Sequence, residues 1–196
     1  MLKYLLVGSM FLSSLAFGWT PEELKKQSDY LKTVDQKVYS KQVDMKSRCE
    51  IKYQKIEGMN VFMPTGGTSH PVLIWFNGTG AWTGWYQEGL EKLARQCIVV
   101  VANPDPMILW TSIIEWVNPK KTMDTINLTV NKILPKLNGL GSNKKIAVTG
   151  HSQGGGAAIY ASEHPMVKTV IPIQPLMLRS SSKKPILFLT GENDMI

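Results

Sequence analysis

Apolar residues in this chain are concentrated in short runs of strand length. Pro71–Phe76 and Cys97–Ala102 are apolar almost throughout, and Ile146–Thr149, Thr169–Ile173 and Pro185–Thr190 are further segments of this kind. A continuous apolar run is typical of a strand buried on both faces, as strands in parallel sheets are. The hydrophobic pattern therefore predicts a mostly parallel central sheet.

The segments around these runs predict an opening hairpin and flanking helices. Polar and apolar residues alternate in Cys49–Ile56 and Met59–Met63, on either side of Gly58, which indicates two antiparallel strands. Helical patterns follow at Trp85–Arg95, at about 122–137 and at Ala157–Ser162. A hairpin followed by alternating strands and helices indicates an α/β fold, in which ligands bind at the carboxyl ends of the strands.

The start of the chain has the order of a secretory signal. Lys3 precedes an apolar stretch, and Gly18 provides a small residue at which cleavage can occur. The stretch is shorter than the roughly 20 residues of a membrane-spanning helix. We expect residues 1–18 to be a signal peptide, residues 19–48 a helical segment and residues 49–196 one α/β domain of a secreted or periplasmic protein.

The charge of the chain is moderately basic and evenly distributed. The net charge is +7, and it becomes +6 when Lys3 is removed with the expected signal. No basic tract is present, which argues against a nucleic-acid partner. No later segment is apolar for long enough to insert stably in a membrane.

Two cysteines, Cys49 and Cys97, lie at the starts of predicted strands. An exported protein meets oxidising conditions, so the two can form a disulfide, or each can pair with a partner outside this chain. Neither belongs to a Cys-x-x-Cys motif or has a histidine nearby in sequence, and we expect neither a metal site nor a cysteine nucleophile.

The most specific motif is Gly150-His151-Ser152-Gln153-Gly154, which follows an apolar strand and precedes a helical segment. The G-x-S-x-G spacing fits a tight turn that exposes the serine hydroxyl at the end of a sheet. An accidental glycine-rich loop is the alternative, and the strand and helix on either side argue against it. Ser152 is therefore the predicted nucleophile.

A serine nucleophile needs N–H donors that stabilise the developing oxyanion. Gln153 follows the nucleophile and can supply one backbone N–H. The turn after Phe76 can supply the other, from Thr79 or, as second choice, Gly80. Asn77-Gly78-Thr79 also matches a glycosylation sequon and can be an ordinary turn.

The predicted acid follows the last apolar run. Asp194 lies after Gly191 at the end of that strand, in the chain order of an acid that follows the serine, and Glu192 is the second choice. The alternative is that Asp194 only caps a turn.

These motifs resemble those of the α/β-hydrolases, and within them the cutinase-like, poly(ethylene terephthalate)-hydrolase-like and dienelactone-hydrolase-like esterases. The similarity extends from about residue 59 to 196. It implies an α/β-hydrolase fold that cleaves carboxylic esters, small or polymeric, without metal or other cofactor. Ser152 would be the nucleophile, Asp194 the acid, and the N–H groups of Thr79 and Gln153 the oxyanion donors.

The substrate cleft departs from the polyester hydrolases. Those enzymes have aromatic residues where this chain has Thr79 and Leu176. Gly80, Trp82 and Leu176 are the candidate cleft residues, and other tryptophans can line the cleft or pack in the core.

The base of a Ser-His-Asp triad is missing from its expected place after Asp194. His70 precedes a strand and is expected roughly 17 Å from its catalytic end, and His164 follows the elbow helix, roughly 18 Å from Ser152. His151 is expected to pack within the turn. We therefore expect a C-terminally incomplete domain, lacking its last strand and helix, with the histidine beyond residue 196 and almost no activity in this chain alone. A hydrolase-fold binding protein and an acyltransferase are the alternatives.

Overall fold

The structure is a computed structural model that describes residues 47–104, 119–175 and 184–190. In these ranges six strands form one sheet. They are β1 (Ile51–Ile56), β2 (Met59–Pro64), β3 (His70–Phe76), β4 (Val99–Ala102), β5 (Gly141–His151) and β6 (Val167–Ile173).

Helices connect the strands. A 3₁₀ turn, Thr83–Trp85, precedes α1 (Gln87–Ala94) between β3 and β4. The segment before β5 begins as α2 (Pro119–Leu128), passes through a π-helical turn, Thr129–Ile133, and ends as α3 (Leu134–Lys136). The last helix of the described ranges, α4 (Gln153–Ala161), begins two residues after β5 ends.

The sheet order is β1-β2-β4-β3-β5-β6. β1 and β2 form the predicted antiparallel hairpin, β2 also runs antiparallel to β4, and β4, β3, β5 and β6 are mutually parallel. The segment Pro185–Thr190 continues the sheet beyond β6, with parallel bridges at Val170–Ile186 and Ile173–Leu189. The predicted α/β arrangement is confirmed.

Both faces of the central strands are buried, which explains their continuous apolar sequences. Alternate residues of β3 point to opposite sides, so Val72 and Ile74 pack in one core and Leu73 and Trp75 in the other. The first core includes side chains of α2 and α4, and the second includes Leu90 of α1.

Element boundaries differ from the predictions where polar residues or turns are involved. β5 begins at Gly141 rather than Ile146, because Gly141 pairs with His70 and the register then shifts before pairing resumes at Ile146 with Val72. β4 begins at Val99 rather than Cys97, because Cys97 has φ +66° and lies in a turn. Pro185–Thr190 forms isolated bridges rather than the full strand expected.

Several predictions concern residues outside the described ranges. These are the signal peptide at residues 1–18, most of the helical segment at 19–48, the cleft residue Leu176 and the acid Asp194. Among the residues that the structure does describe, no helix has the length and apolar character needed to cross a membrane.

A disulfide joins Cys49 and Cys97, whose Cα atoms are 5.4 Å apart. It links the residues before β1 to the turn after α1. The backbone N–H groups of Arg48 and Cys49 both donate to the carbonyl oxygen of Arg95 beside it, at 2.9 and 3.0 Å. The pairing of the two cysteines with each other is therefore confirmed.

The double variant Cys49→Ser/Cys97→Ser should be less stable than the wild type. The bond closes a loop with a sequence separation of 48 residues, and the chain-entropy argument gives about 4 kcal/mol for a loop of this size. Urea unfolding of the oxidised wild type and the variant measures the difference. Reducing the wild type should reproduce the variant's midpoint, and equal midpoints in all samples would contradict the assigned role.

Candidate active site

Ser152 occupies the turn between β5 and α4. Its φ is 56° and its ψ is −118°, a conformation that residues with a side chain rarely adopt and that costs on the order of 1–3 kcal/mol. The Ser152 N–H donates to the Ile173 carbonyl at 3.0 Å, and its own carbonyl accepts from the Gly156 N–H at 3.1 Å. The turn is therefore held by β6 on one side and by α4 on the other.

Gly150 and Gly154 allow the end of β3 to pack closely against this turn. A Cβ atom at Gly150 would lie 2.6 Å from the Phe76 carbonyl oxygen, and one at Gly154 would lie 2.5 Å from that of Asn77. Both separations are too short for any side chain, because the obstacle is backbone. The two glycines of the motif thus bring the residues after β3 next to Ser152.

The carboxyl ends of the parallel strands lie at this same edge. Phe76 pairs with Gly150 across β3 and β5, and His151 pairs with Ile173 across β5 and β6. Ile173 also bridges to Leu189, and the Gln174 N–H donates to the Leu189 carbonyl at 2.8 Å. The segment that leads toward Asp194 therefore reaches the edge of the sheet that carries Ser152.

Thr79 and Gln153, which the sequence places 74 residues apart, are in direct contact. The Thr79 hydroxyl donates to the Gln153 side-chain carbonyl at 2.8 Å. Gln153 is buried, whereas Ser152 and Thr79 are half-buried and Gly80 is exposed. Of the candidate cleft residues, Trp82 is 55% exposed.

Asn77 organises the turn that contains Thr79. Its side-chain oxygen accepts from the Trp75 indole N–H at 2.9 Å, and its amide donates to the Asn103 carbonyl at 2.7 Å and to the Thr83 hydroxyl at 3.2 Å. Asn77 is only 1% exposed, so its amide is not available for glycosylation in the folded protein. From the sequence, Asn77 was predicted only to lie in a turn. The signal that could have indicated its hydrogen-bonding position was its place directly after a buried strand.

Tyr86 joins this turn to the residue before the serine. Its hydroxyl accepts from the Gly78 N–H at 3.3 Å and lies 3.1 Å from His151 Nδ1. Burial raises the pKa of Tyr86 above its ordinary value, and the bond from Gly78 acts in the opposite direction. His151 packs within the elbow as predicted, whereas no sequence signal connected Tyr86 with the site.

The other two histidines have hydrogen-bond partners away from Ser152. His70 pairs with Gly141 at the amino end of β3, and its Nε2 lies 2.8 Å from the Gly66 carbonyl. His164 follows α4, where its Nε2 lies 3.1 Å from the Asn127 side-chain oxygen. The expectation that neither of them adjoins Ser152 agrees with these positions.

Within residues 47–104, 119–175 and 184–190, no group of three or more His, Cys, Asp or Glu side chains is arranged to hold a metal ion.

The sheet topology and the strand–turn–helix at Ser152 define an α/β-hydrolase-type protein. A comparison with protein families matches residues 28–177, about three quarters of the chain, to the family described as Chlorophyllase. The chain therefore belongs to the Chlorophyllase family, an α/β-hydrolase-type family of ester hydrolases. A search of curated proteins finds no match. The resemblance to cutinase-like, polyester-hydrolase-like and dienelactone-hydrolase-like enzymes stays a prediction.

Replacing Asn77 with alanine should lower the free energy of unfolding by about 2–3 kcal/mol, because the buried indole N–H of Trp75 loses its acceptor. Urea unfolding measures the loss. The exposed Asn143 provides a matched control, and Asn143→Ala should change stability by less than about 0.5 kcal/mol. Similar values for the two variants would show that the Asn77 network contributes little.

His164 should make stability depend on pH. Burial, and then the nearby Lys184 charge, lower the pKa of His164. The unfolded chain consequently binds this proton more readily, so the stabilisation is present above the ordinary pKa of about 6.5 and is lost as the pH falls through the lower folded value. Urea midpoints measured between pH 8 and 5 should fall less for His164→Gln than for the wild type, and parallel curves would refute the assignment.

Proposed function

We propose that this chain is an exported serine hydrolase of carboxylic esters. Ser152 is the nucleophile, the backbone N–H groups of Thr79 and Gln153 bind the oxyanion, and Asp194 orients a histidine that acts as the base. The membership in an ester-hydrolase family supports the reaction class. The backbone of Ser152, with φ 56° and ψ −118° between β5 and α4, is the observation on which the proposal chiefly rests.

The conformation of Ser152 supports its role because a strained turn is retained where function requires it. A serine in an ordinary helix N-cap would use its side chain to bind the helix N–H groups, and Ser152 makes no such capping bond. Its half-buried position leaves it accessible from the open edge of the sheet.

The contact between Thr79 and Gln153 supports the proposed oxyanion site. Their side-chain hydrogen bond of 2.8 Å ties the turn after β3 to the first residue of α4. Backbone donors on both sides of this bond are thereby held in fixed relative positions. Such preorganisation is the requirement for stabilising a transition-state oxyanion.

The proposed acid is supported by the path of the chain. Leu189 is hydrogen-bonded at the end of β6, next to the strand end that precedes Ser152. Asp194 follows Leu189 by five residues. The base must come from a histidine other than His70 and His164, since both have partners away from this edge.

The proposed reaction proceeds in two steps. The Ser152 oxygen forms a bond to the ester carbonyl carbon while its proton passes to the histidine, and the alcohol leaves with that proton as the ester C–O bond breaks. A water molecule then attacks the acyl-enzyme, gives a proton to the histidine, and releases the acid when Ser152 regains its proton. Asp194 keeps the imidazole in the orientation and tautomer that both steps require.

Two exposed tryptophans suggest where an apolar part of the substrate binds. Trp82 and Trp85 are 55% and 75% exposed and lie shortly after Thr79. Gly80, between the oxyanion turn and these rings, is exposed and presents no side chain. Together with Leu176 they form the proposed cleft, and the family name makes chlorophyll, itself an ester, a substrate to assay.

Export is supported by two observations. The first residues have the order of a signal peptide, and the chain forms the Cys49–Cys97 disulfide, a bond typical of oxidising compartments.

Ser152→Ala should abolish ester hydrolysis by the gene product expressed from its natural reading frame. We expect a decrease in kcat of at least about 10³-fold on p-nitrophenyl acetate, because the nucleophile is removed. The wild type should also react covalently with a fluorophosphonate at Ser152, as intact mass and peptide mapping would show. Chlorophyll is assayed in parallel.

Ser162→Ala is the matched control. Ser162 is a buried serine at the end of α4, and its hydroxyl has no hydrogen-bond partner among the described residues, so its loss should leave activity unchanged. A wild type that neither hydrolyses esters nor reacts with the fluorophosphonate would overturn the proposal. A binding role on a hydrolase fold would then be the better account.

A further inference from the structure

Tyr86 connects two parts of the site that no covalent link holds together. One is the turn after β3, through Gly78, and the other is His151, the residue before the proposed nucleophile. The Tyr86 oxygen lies 3.3 Å from the Gly78 nitrogen and 3.1 Å from His151 Nδ1. Gly78 immediately precedes Thr79, and His151 immediately precedes Ser152. The two hydrogen-bond partners of the hydroxyl are therefore the sequence neighbours of the proposed oxyanion donor and of the proposed nucleophile.

The position of this hydroxyl is fixed by packing. The Tyr86 ring contacts the Trp75 ring with centroids 4.9 Å apart, and the Trp75 indole is itself bonded to Asn77. A Cβ atom at Gly78 would lie 2.9 Å from the Tyr86 oxygen and 3.1 Å from His151 Nδ1. The turn, the tyrosine and the histidine are therefore closely packed against one another.

The direction of one hydrogen bond at Tyr86 is fixed by its chemistry. The Gly78 N–H can only donate, so the hydroxyl oxygen accepts from it. Toward His151 Nδ1 the hydroxyl donates its proton or accepts one, according to the tautomer of the ring. Both arrangements join His151 to the same hydroxyl.

The geometry assigns Tyr86 as a positioning residue, whose hydroxyl holds the oxyanion turn against the elbow by bridging the Gly78 N–H and His151 Nδ1. This inference rests on the proposed hydrolase function of Ser152. The hydrogen bonds of Tyr86 are to Gly78 and His151, and it acts through these residues on Thr79 and Ser152 beside them. Its loss should impair the transition state more than substrate binding, because a small displacement of the donors weakens the bonds to the oxyanion.

Tyr86→Phe retains the ring and removes the bridge. In the gene product expressed from its natural reading frame, we expect kcat for p-nitrophenyl acetate to fall about 10-fold or more, with KM changed less than about threefold. Tyr53→Phe is the matched control, because it also deletes a tyrosine hydrogen bond, the one to Asn60 at 2.7 Å between β1 and β2. That variant should keep the wild-type kcat.

Variants at His151 test the partner of the hydroxyl. His151→Asn retains an acceptor oxygen close to the position of Nδ1 and should keep most of the activity, whereas His151→Ala should behave like Tyr86→Phe. The double variant Tyr86→Phe/His151→Ala should be no slower than either single variant, since both remove the same bridge. Independent, multiplicative losses would overturn the inference.

The environment of His151 Nδ1 gives a readout that does not depend on activity. Nitrogen-15 chemical shifts of the labelled protein should show a changed Nδ1 resonance in Tyr86→Phe, because that variant loses the hydrogen bond to Nδ1. The resonance should be the same in Tyr53→Phe as in the wild type. An Nδ1 resonance that Tyr86→Phe leaves unchanged would overturn the assigned bridge.

The outcomes separate this inference from the function on which it rests. Absence of Ser152-dependent hydrolysis in the wild type overturns both. Ser152-dependent hydrolysis together with a wild-type kcat in Tyr86→Phe overturns the positioning role and leaves the hydrolase function intact.

Discussion

The close approach of the end of β3 to the turn at Ser152 is the constraint on which the site depends. Gly150 and Gly154 lie so near the carbonyl groups of Phe76 and Asn77 that only hydrogen atoms fit between them. The strained serine is thereby placed against the neighbouring strand rather than at a free loop. Because the sheet below is buried on both faces, this contact cannot relax by shifting the strands.

Polar side chains hold the turn after β3 in the position that the two glycines allow. Asn77 anchors the turn after β3 to the end of β4, Tyr86 joins it to His151, and Thr79 joins it to Gln153. These bonds connect the turn to three separate segments of the chain. Two of the bonded residues, His151 and Gln153, are adjacent to Ser152 in the sequence. A turn held in this way can keep N–H donors in place without rearranging during a reaction, which is the main requirement of an oxyanion site.

Much of the fold could be predicted from residue patterns. Buried parallel strands such as Pro71–Phe76 have continuous apolar sequences because both of their faces meet a core, and this signal is local. The boundaries of β4 and β5 were less accurate. Gly141 pairs with His70 ahead of a register shift that precedes Ile146, and a positive φ at Cys97 delays the start of β4. The pairing of Cys49 with Cys97 also depended on spatial proximity, which spacing alone does not reveal.

The sequence by itself determined the α/β class, the strained turn at Ser152 and the loop that faces it, because glycine spacing and strand ends are local properties of the chain. The tertiary structure alone decided the hydrogen bonds of Asn77 and Tyr86 and the contact between Thr79 and Gln153. Hydrogen bonds between distant residues depend on how the strands are ordered and paired in space. A polar residue in a turn therefore has the same local signature whether it is solvated or anchors a site.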